Sequence, residues 1–311
     1  MTTVVAGATA GASAGVQRRM RRGVFRAILR NRKAVVGASL LLLFSLAAAF
    51  PRLFVPWQHG DPRDVGATPL QHPSGAHWLG TTGLGQDVYA ELVYSTRESL
   101  VIALAAGLGA SLLSVIVGVS AAYLGGVADN VLTLLTDVFL VLPAFPLIIV
   151  LATYAGKGNL FVVVVVLVVT GWSYGARQMR AQALSLRNRE FLESARVRGE
   201  RASYIIVVEV LPTMTSLILA NFLGAALYSV LTAAGLQFLG LGDPNSLSWG
   251  TMLYWAQNQG ALVNGLPAWA LSPGFAVALL GVSFALLNYA FDEISNPALR
   301  PVKRRRVRSR A

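Results

Sequence analysis

The sequence predicts an all-α membrane protein with about six transmembrane helices, and three observations carry that expectation. Of its 311 residues, 55% are hydrophobic and only 13% charged, against about 25% charged in a soluble domain; mean hydropathy is +0.58. Six uncharged runs divide the chain: Ala34–Pro51, Ser99–Ala128, Val138–Gly156, Gly158–Ala176, Val210–Gly242 and Pro244–Phe291. A membrane span needs roughly 20 mostly apolar residues, so the first run is slightly short, the next four suffice and the last exceeds the need. Finally, 22 of the 26 Lys and Arg residues fall in Arg18–Lys33, Arg177–Arg201 and Arg300–Arg310. Basic residues gather on the cytoplasmic side of membrane proteins. Six spans put all three segments on one side, with the N- and C-termini in the cytoplasm.

The net charge of +12 does not point to nucleic acid. Neither "QRRMRR" nor "KRRRVRSR" has aromatic stacking residues or a recognition fold beside it, and both read as orientation signals that also contact anionic membrane lipids. The chain has no cysteine, which removes disulfides, thiolate metal sites and cysteine nucleophiles.

Taken in order, residues 1–33 form a cytoplasmic tail, Ala/Gly/Thr-rich and disordered to Val16, then basic and amphipathic, with Val24, Phe25, Ile28 and Leu29 at helical spacing. Residues 34–55 hold the first transmembrane helix. A basic region, an apolar run and Ala47–Ala49 have the form of a secretory signal. The basic lead-in is too long for one, so the run is read as an anchor. Residues 56–98 form an extracytoplasmic segment with all three histidines and five of the 14 acidic residues. The histidines lack the close spacing of a metal site, and no metal is expected.

Residues 99–293 form the core, with five further helices. The second span, Ser99–Tyr123, ends at the turn signal "GGVADN". The third, about Leu132–Tyr154, contains Asp137, Pro143 and Pro146. The prolines should kink or open the helix. Asp137 is a candidate pathway residue because it is an acid near a span, although its place two turns from the inner surface also suits a salt bridge at the helix end. The fourth span is the valine-rich "LFVVVVVLVVTGWSYG". A fifth is expected from Tyr204 to about Gly235 with Pro212 early in it, then an outer loop at "FLGLGDPNSLSWG", an interfacial stretch through Trp269, and a sixth span at about Pro273–Phe291. Residues 294–311 are a basic cytoplasmic tail.

The spans are nearly bare of acids, which disfavours ion-coupled transport. No phosphate-binding glycine loop, zinc-protease motif or nucleophile elbow is present. The chain reads as a non-catalytic conduit without a cofactor, whose energy comes from elsewhere. The stretch "RNREFLESARVRGERASYIIVVEVLPT" from Arg187 to Thr213 overlaps the loop 177–209 and runs past its end. A short helix within residues 188–201 would place Phe191, Leu192 and Ala195 in one apolar patch, flanked by arginines and glutamates, and Gly199 would end it in a left-handed turn. Pattern alone leaves two alternatives, a handle for a partner protein or a helix resting on lipid.

Glu193, Ser194, Ala195, then Gly199, then Leu211–Pro212 resemble the E-A-A-x-x-x-G…L-P signature of ABC importer permeases. "HWLGTTGLGQDVYAELVYSTRESL", "AAYLGGVADN", "TDVFLVLPAFPLIIV" and "GLQFLGLGDPNSLSWGTML" are similar to segments of the dipeptide/oligopeptide/nickel permease family, most closely its second, DppC/OppC-type subunit. The likeness covers nearly all of the chain beyond Gln17. The chain departs from the family pattern at Thr82 for Asp, at Gln86 for Arg, at Ser194 for the middle Ala, and at Glu209 in a usually apolar place.

The resemblance implies a type I ABC importer permease fold in a bacterial cytoplasmic (inner) membrane. It implies a heterodimer with a homologous permease, two cytoplasmic ATPase subunits that bind the ATP and Mg, and an extracytoplasmic substrate-binding protein. Arg189, Glu190, Phe191, Glu193, Ser194, Ala195 and Gly199 would form the ATPase-docking helix, with Phe191 and Ala195 as the buried contact. Leu211 and Pro212 would transmit force to the spans. Peptides are the expected cargo; oligosaccharides and nickel chelates pass through similar permeases, and an ion-coupled transporter or a membrane scaffold are the readings from other classes.

Overall fold

Side-chain caps set where the first two long helices begin. The computed structural model describes residues 31–55, 61–154 and 160–295; the lead-in before residue 31, His59, Lys157 and the basic tail beyond 295 lie outside the described residues. Asn31 Oδ1 accepts the Lys33 N–H at 2.9 Å and opens α1, Arg32–Ala49. After a 3-10 turn at Pro51–Leu53, Asp87 accepts the Ala90 N–H at 2.8 Å and starts α2, Val88–Leu124. His77 Nδ1 lies 2.7 Å from the Asp87 carboxylate, so the cap is itself held. At 37 residues, α2 is about 55 Å long, well beyond the roughly 30 Å of bilayer hydrocarbon. The uncharged part from Ser99 suffices to cross, and Val88–Glu98, with Glu91, Arg97 and Glu98, projects past it.

Two apolar helix pairs are sharply bent. Helices α3, Gly126–Val141, and α4, Ala144–Tyr154, meet at 93°. Pro143 and Pro146 have no N–H to offer the carbonyls of Phe139 and Leu142 four residues back, so the ladder fails where the chain turns. Helices α5, Leu160–Gly171, and α6, Ser173–Arg187, meet at 44°. Then follow α7, Glu190–Val197, and α8, Ala202–Thr213, wound as a π-helix over Ile205–Val210. The last three are α9, Thr215–Phe238, α10, Trp249–Asn258, opened by a Ser248/Thr251 capping box, and α11, Pro267–Ser295. Among the described residues four helices are long and apolar enough to cross a membrane, and each bent pair taken as one span makes six.

Two boundaries differ from the sequence expectation. The fifth span starts at Thr215 rather than Tyr204: π winding and the missing Pro212 N–H interrupt the ladder, and Pro212 precedes the span. The sixth starts at Pro267, so Trp269 lies inside α11 and is 1% exposed instead of resting at an interface.

The long α2 is the centre of the packing. Where it crosses α9, a Cβ added to Gly107 would lie 2.7 Å from the Ala226 Cα, a separation only glycine permits. Phe44, Val230, Trp249, Trp269 and Phe284 build one core between α1, α2, α9, α10 and α11. Ile102, Ile148, Leu167 and Leu236 join α2, α4, α5 and α9 in a second. Lys33 Nζ pairs with Glu293 at 3.5 Å, joining the start of α1 to the end of α11. This end of the bundle also carries α7 and the arginines of α6; segment 61–87 covers the opposite end.

Candidate functional site

Helix α7 has two unlike faces. Leu192 and Ala195, three apart and so on one stripe, are fully buried. They pack with Val119 and Ala122 of α2, Met179 and Ala183 of α6, and Ile205 and Val210 of α8. Opposite them stand Glu190, Glu193 and Ser194, all exposed, and Val197, 88% exposed. Phe191 sits on the shoulder between the faces at 39% exposure. The expected apolar patch is therefore divided. Ala195 does not reach outward as a docking contact but closes the helix against its own chain, and Val197, not singled out in the sequence, is the outermost apolar group.

The ends of α7 are well determined. Extended Arg189 is the N-cap residue, and its carbonyl accepts the Leu192 N–H at 2.9 Å. At the other end Gly199 adopts φ +78°. Its N–H bonds the Arg196 carbonyl at 2.9 Å and the Glu200 N–H bonds the Ala195 carbonyl at 3.2 Å, the Schellman pattern that needs a left-handed residue. Ser194 Oγ donates to the Glu190 carbonyl at 2.9 Å, turning its hydroxyl back onto the helix. Glu193 has no ion pair among the described residues. Arg196 lies over the Tyr123 ring at 5.8 Å, and Arg198 approaches Glu209 at 4.0 Å, which gives that unusual acid a partner. Leu211 packs against the α7 core, while Pro212 is exposed.

Above this region, in the concavity left by the two helix breaks, is a cavity of about 520 Å³. Its walls include Phe139 and Leu142 at the first break, Thr170 and Ser173 at the second, Asn221 and Tyr228 of α9, and Asn288 and Asp292 of α11. The polar groups are mostly neutral. Ser114 Oγ donates to the Trp172 carbonyl at 2.7 Å, supporting the backbone at the second break, and Asn221 Nδ2 donates to Ser111 Oγ at 3.2 Å. Sequence reasoning did not name this lining, because isolated Asn and Tyr residues in apolar helices form no motif. Asp137 is not part of it: it accepts from Arg177 Nη2 at 2.6 Å on the exposed flank. Pro143 and Pro146 act through the break they impose.

A second cavity, about 330 Å³, lies at the opposite end of the bundle. Glu91 lines it from the projecting turn of α2, with Thr82 and Gln86 from the preceding loop and Trp255, Gln259 and Trp269 from α10 onward. Burial pushes the Glu91 carboxyl up to about 7. Among the described residues no group of three His, Asp or Glu could hold a metal ion.

Residues 114–300 match the family described as "Binding-protein-dependent transport system inner membrane component". The chain is 34% identical over 284 residues to the "Oligopeptide transport system permease protein OppC" of Mycobacterium tuberculosis strain H37Rv, covering 90% of this chain and 96% of that one. It is 30% identical over 280 residues to the "Glutathione transport system permease protein GsiD" of Pectobacterium atrosepticum, covering 90% and 91%. It is 28% identical over 281 residues to the "Dipeptide transport system permease protein DppC" of Alkalihalophilus pseudofirmus, covering 90% of each.

Proposed function

Since the chain belongs to the family of binding-protein-dependent transport system inner membrane components, we propose that it is one of two permease subunits of an ATP-driven peptide importer, driven through α7. The names of its relatives, which refer to oligopeptides, dipeptides and glutathione, support the peptide class. ATP and Mg belong to two separate ATPase subunits, and an external binding protein delivers the cargo. A homologous permease completes the pathway, of which the 520 Å³ cavity is this subunit's half. Both termini and α7 face the cytoplasm, in keeping with the basic end of the bundle.

The observation that carries this reading is the division of α7. Leu192 and Ala195 fix it to the ends of α2, α6 and α8, so a push on the helix moves the spans. Glu190, Glu193, Ser194 and Val197 remain outside, offering a partner an acidic rim around an apolar tip, with Phe191 beside it. A helix made only to rest on lipid would present its apolar face to the membrane; here that face is already used within the chain. Gly199 ends the helix, and Leu211 and Pro212 link it to α9.

Glu193→Lys and Gly199→Val test the proposal. Both variants should insert normally, lose co-purification of the ATPases, and abolish peptide uptake. Undiminished uptake in both would remove the docking role of α7.

A further inference from the structure

We propose that the outer cavity above Glu91 is a binding subsite for the α-aminoacyl end of a peptide, its protonated amine together with the adjoining carbonyl. The inference rests on the peptide-import reading and adds a place where this subunit itself recognises cargo.

Three side chains from separate parts of the sequence converge there with unmet needs. Glu91 is 8% exposed, burial raises the pKa of its carboxyl, and among the described residues no arginine or lysine forms an ion pair with it. A buried carboxylate without a counter-charge is costly, and a cation that enters relieves it. Gln259 Oε1 is buried with no hydrogen-bond donor, and Trp269 Nε1 is buried with no acceptor. All three line the same cavity, beside the Trp255 indole, whose Nε1 is already engaged by the Pro244 carbonyl at 2.9 Å and whose ring can face a cation.

The needs are complementary to one kind of group. Glu91 and Gln259 require a donor, positively charged at the first; Trp269 requires an acceptor. An ammonium ion with a carbonyl one carbon away supplies both, whereas the amine of a lysine side chain supplies only the donor. Size agrees. About 330 Å³ lies at the small end of ligand pockets, which run from roughly 300 to 1,000 Å³, so it admits one end of a peptide and leaves the rest outside. Arg63 is the other charged residue lining the cavity among those described; it donates to the Asn245 carbonyl at 3.0 Å. Thr82 and Gln86 line the wall.

The test uses the transporter purified through this full-length chain and held in lipid nanodiscs without added binding protein. Dialanine, N-acetyl-dialanine and butylamine are titrated and followed by saturation-transfer NMR. Dialanine should bind at least tenfold more tightly than either other probe, Glu91→Gln should remove that preference, and Trp269→Phe should weaken dialanine while leaving butylamine unchanged. Melting temperatures of both variants well above the titration temperature keep loss of fold separate from loss of the site. Equal binding of dialanine and its acetylated form, or an unchanged preference in Glu91→Gln, overturns the proposal; butylamine binding as tight as dialanine overturns the aminoacyl assignment. Co-purification of ATPases with the same preparation is scored separately. Their absence would count against the importer reading and leave the subsite result standing.

Discussion

Arg180 grips both carboxylate oxygens of Asp129, at 2.6 Å from Nε and 2.8 Å from Nη2, and so ties α6 to the first turn of α3. Arg177 repeats the tie to Asp137 at 2.6 Å. A partly buried bidentate pair loses more when one partner is removed than when both are. Asp129→Asn or Arg180→Met should each cost about 1–3 kcal/mol. The double variant should cost less than the sum of the singles, as checked by melting temperatures in a double-mutant cycle.

Phe191 and Ala195 should separate by phenotype. Phe191→Ala leaves the core untouched, so the protein should insert and melt normally while recovering less ATPase on purification. Ala195→Leu forces a larger group into filled space, a change that costs about 1–3 kcal/mol, and should lower the yield of folded protein before any effect on docking is measured.

The crossing of α2 and α9 should not tolerate bulk. Gly107→Val places side-chain atoms against the Ala226 backbone and should lower the melting temperature sharply. Ala225→Val, at the cavity wall, should have little effect on melting.

A tryptophan at Ala225 would fill part of the cavity formed at the two helix breaks. Ala225→Trp should stop peptide uptake while hydrolysis of ATP stimulated by the binding protein continues. If both fall together, the residue acts in assembly instead of passage.

Glu91 gives a pH prediction with a definite sign. Its folded-state pKa is raised from 4.5 to about 7, so between these values the folded protein holds a proton that the unfolded chain has lost. Stability therefore falls as pH rises from 4.5 to 7 and levels off above. Glu91→Gln, which cannot ionise, should raise the melting temperature at pH 8, and the gain should vanish near pH 4.5.

Much of this architecture was legible because it depends on strong local rules. Pro143 and Pro146 announced a broken span, and Gly199 a left-handed helix end, since few other residues produce either. The direction of Ala195 was not legible. In "EFLESARV" the pattern marks an apolar stripe but does not say whether its partner is the same chain or another. Tyr204 looked like the start of a span because hydropathy is continuous through Met214, and only the backbone reveals the π winding and the turn before Thr215. Asn221 and Asn288 carry no spacing signal. Glu91 looked like one more acid of an outer segment until folding buried it beside Trp269, 178 residues further along.

The two helix breaks lie at one level. Phe139, just before the first, has its ring 5.4 Å from that of Trp172, which separates α5 from α6. On one side of this seam α3 and α6 are bound by two ion pairs; on the other, α4 and α5 share an apolar core. At Pro143 and Pro146 no backbone hydrogen bond crosses to Phe139 or Leu142, so tilting one side against the other costs least there. The backbone ladder is thus interrupted along the same line where the packing changes in kind, from ion pairs between α3 and α6 to apolar contact between α4 and α5.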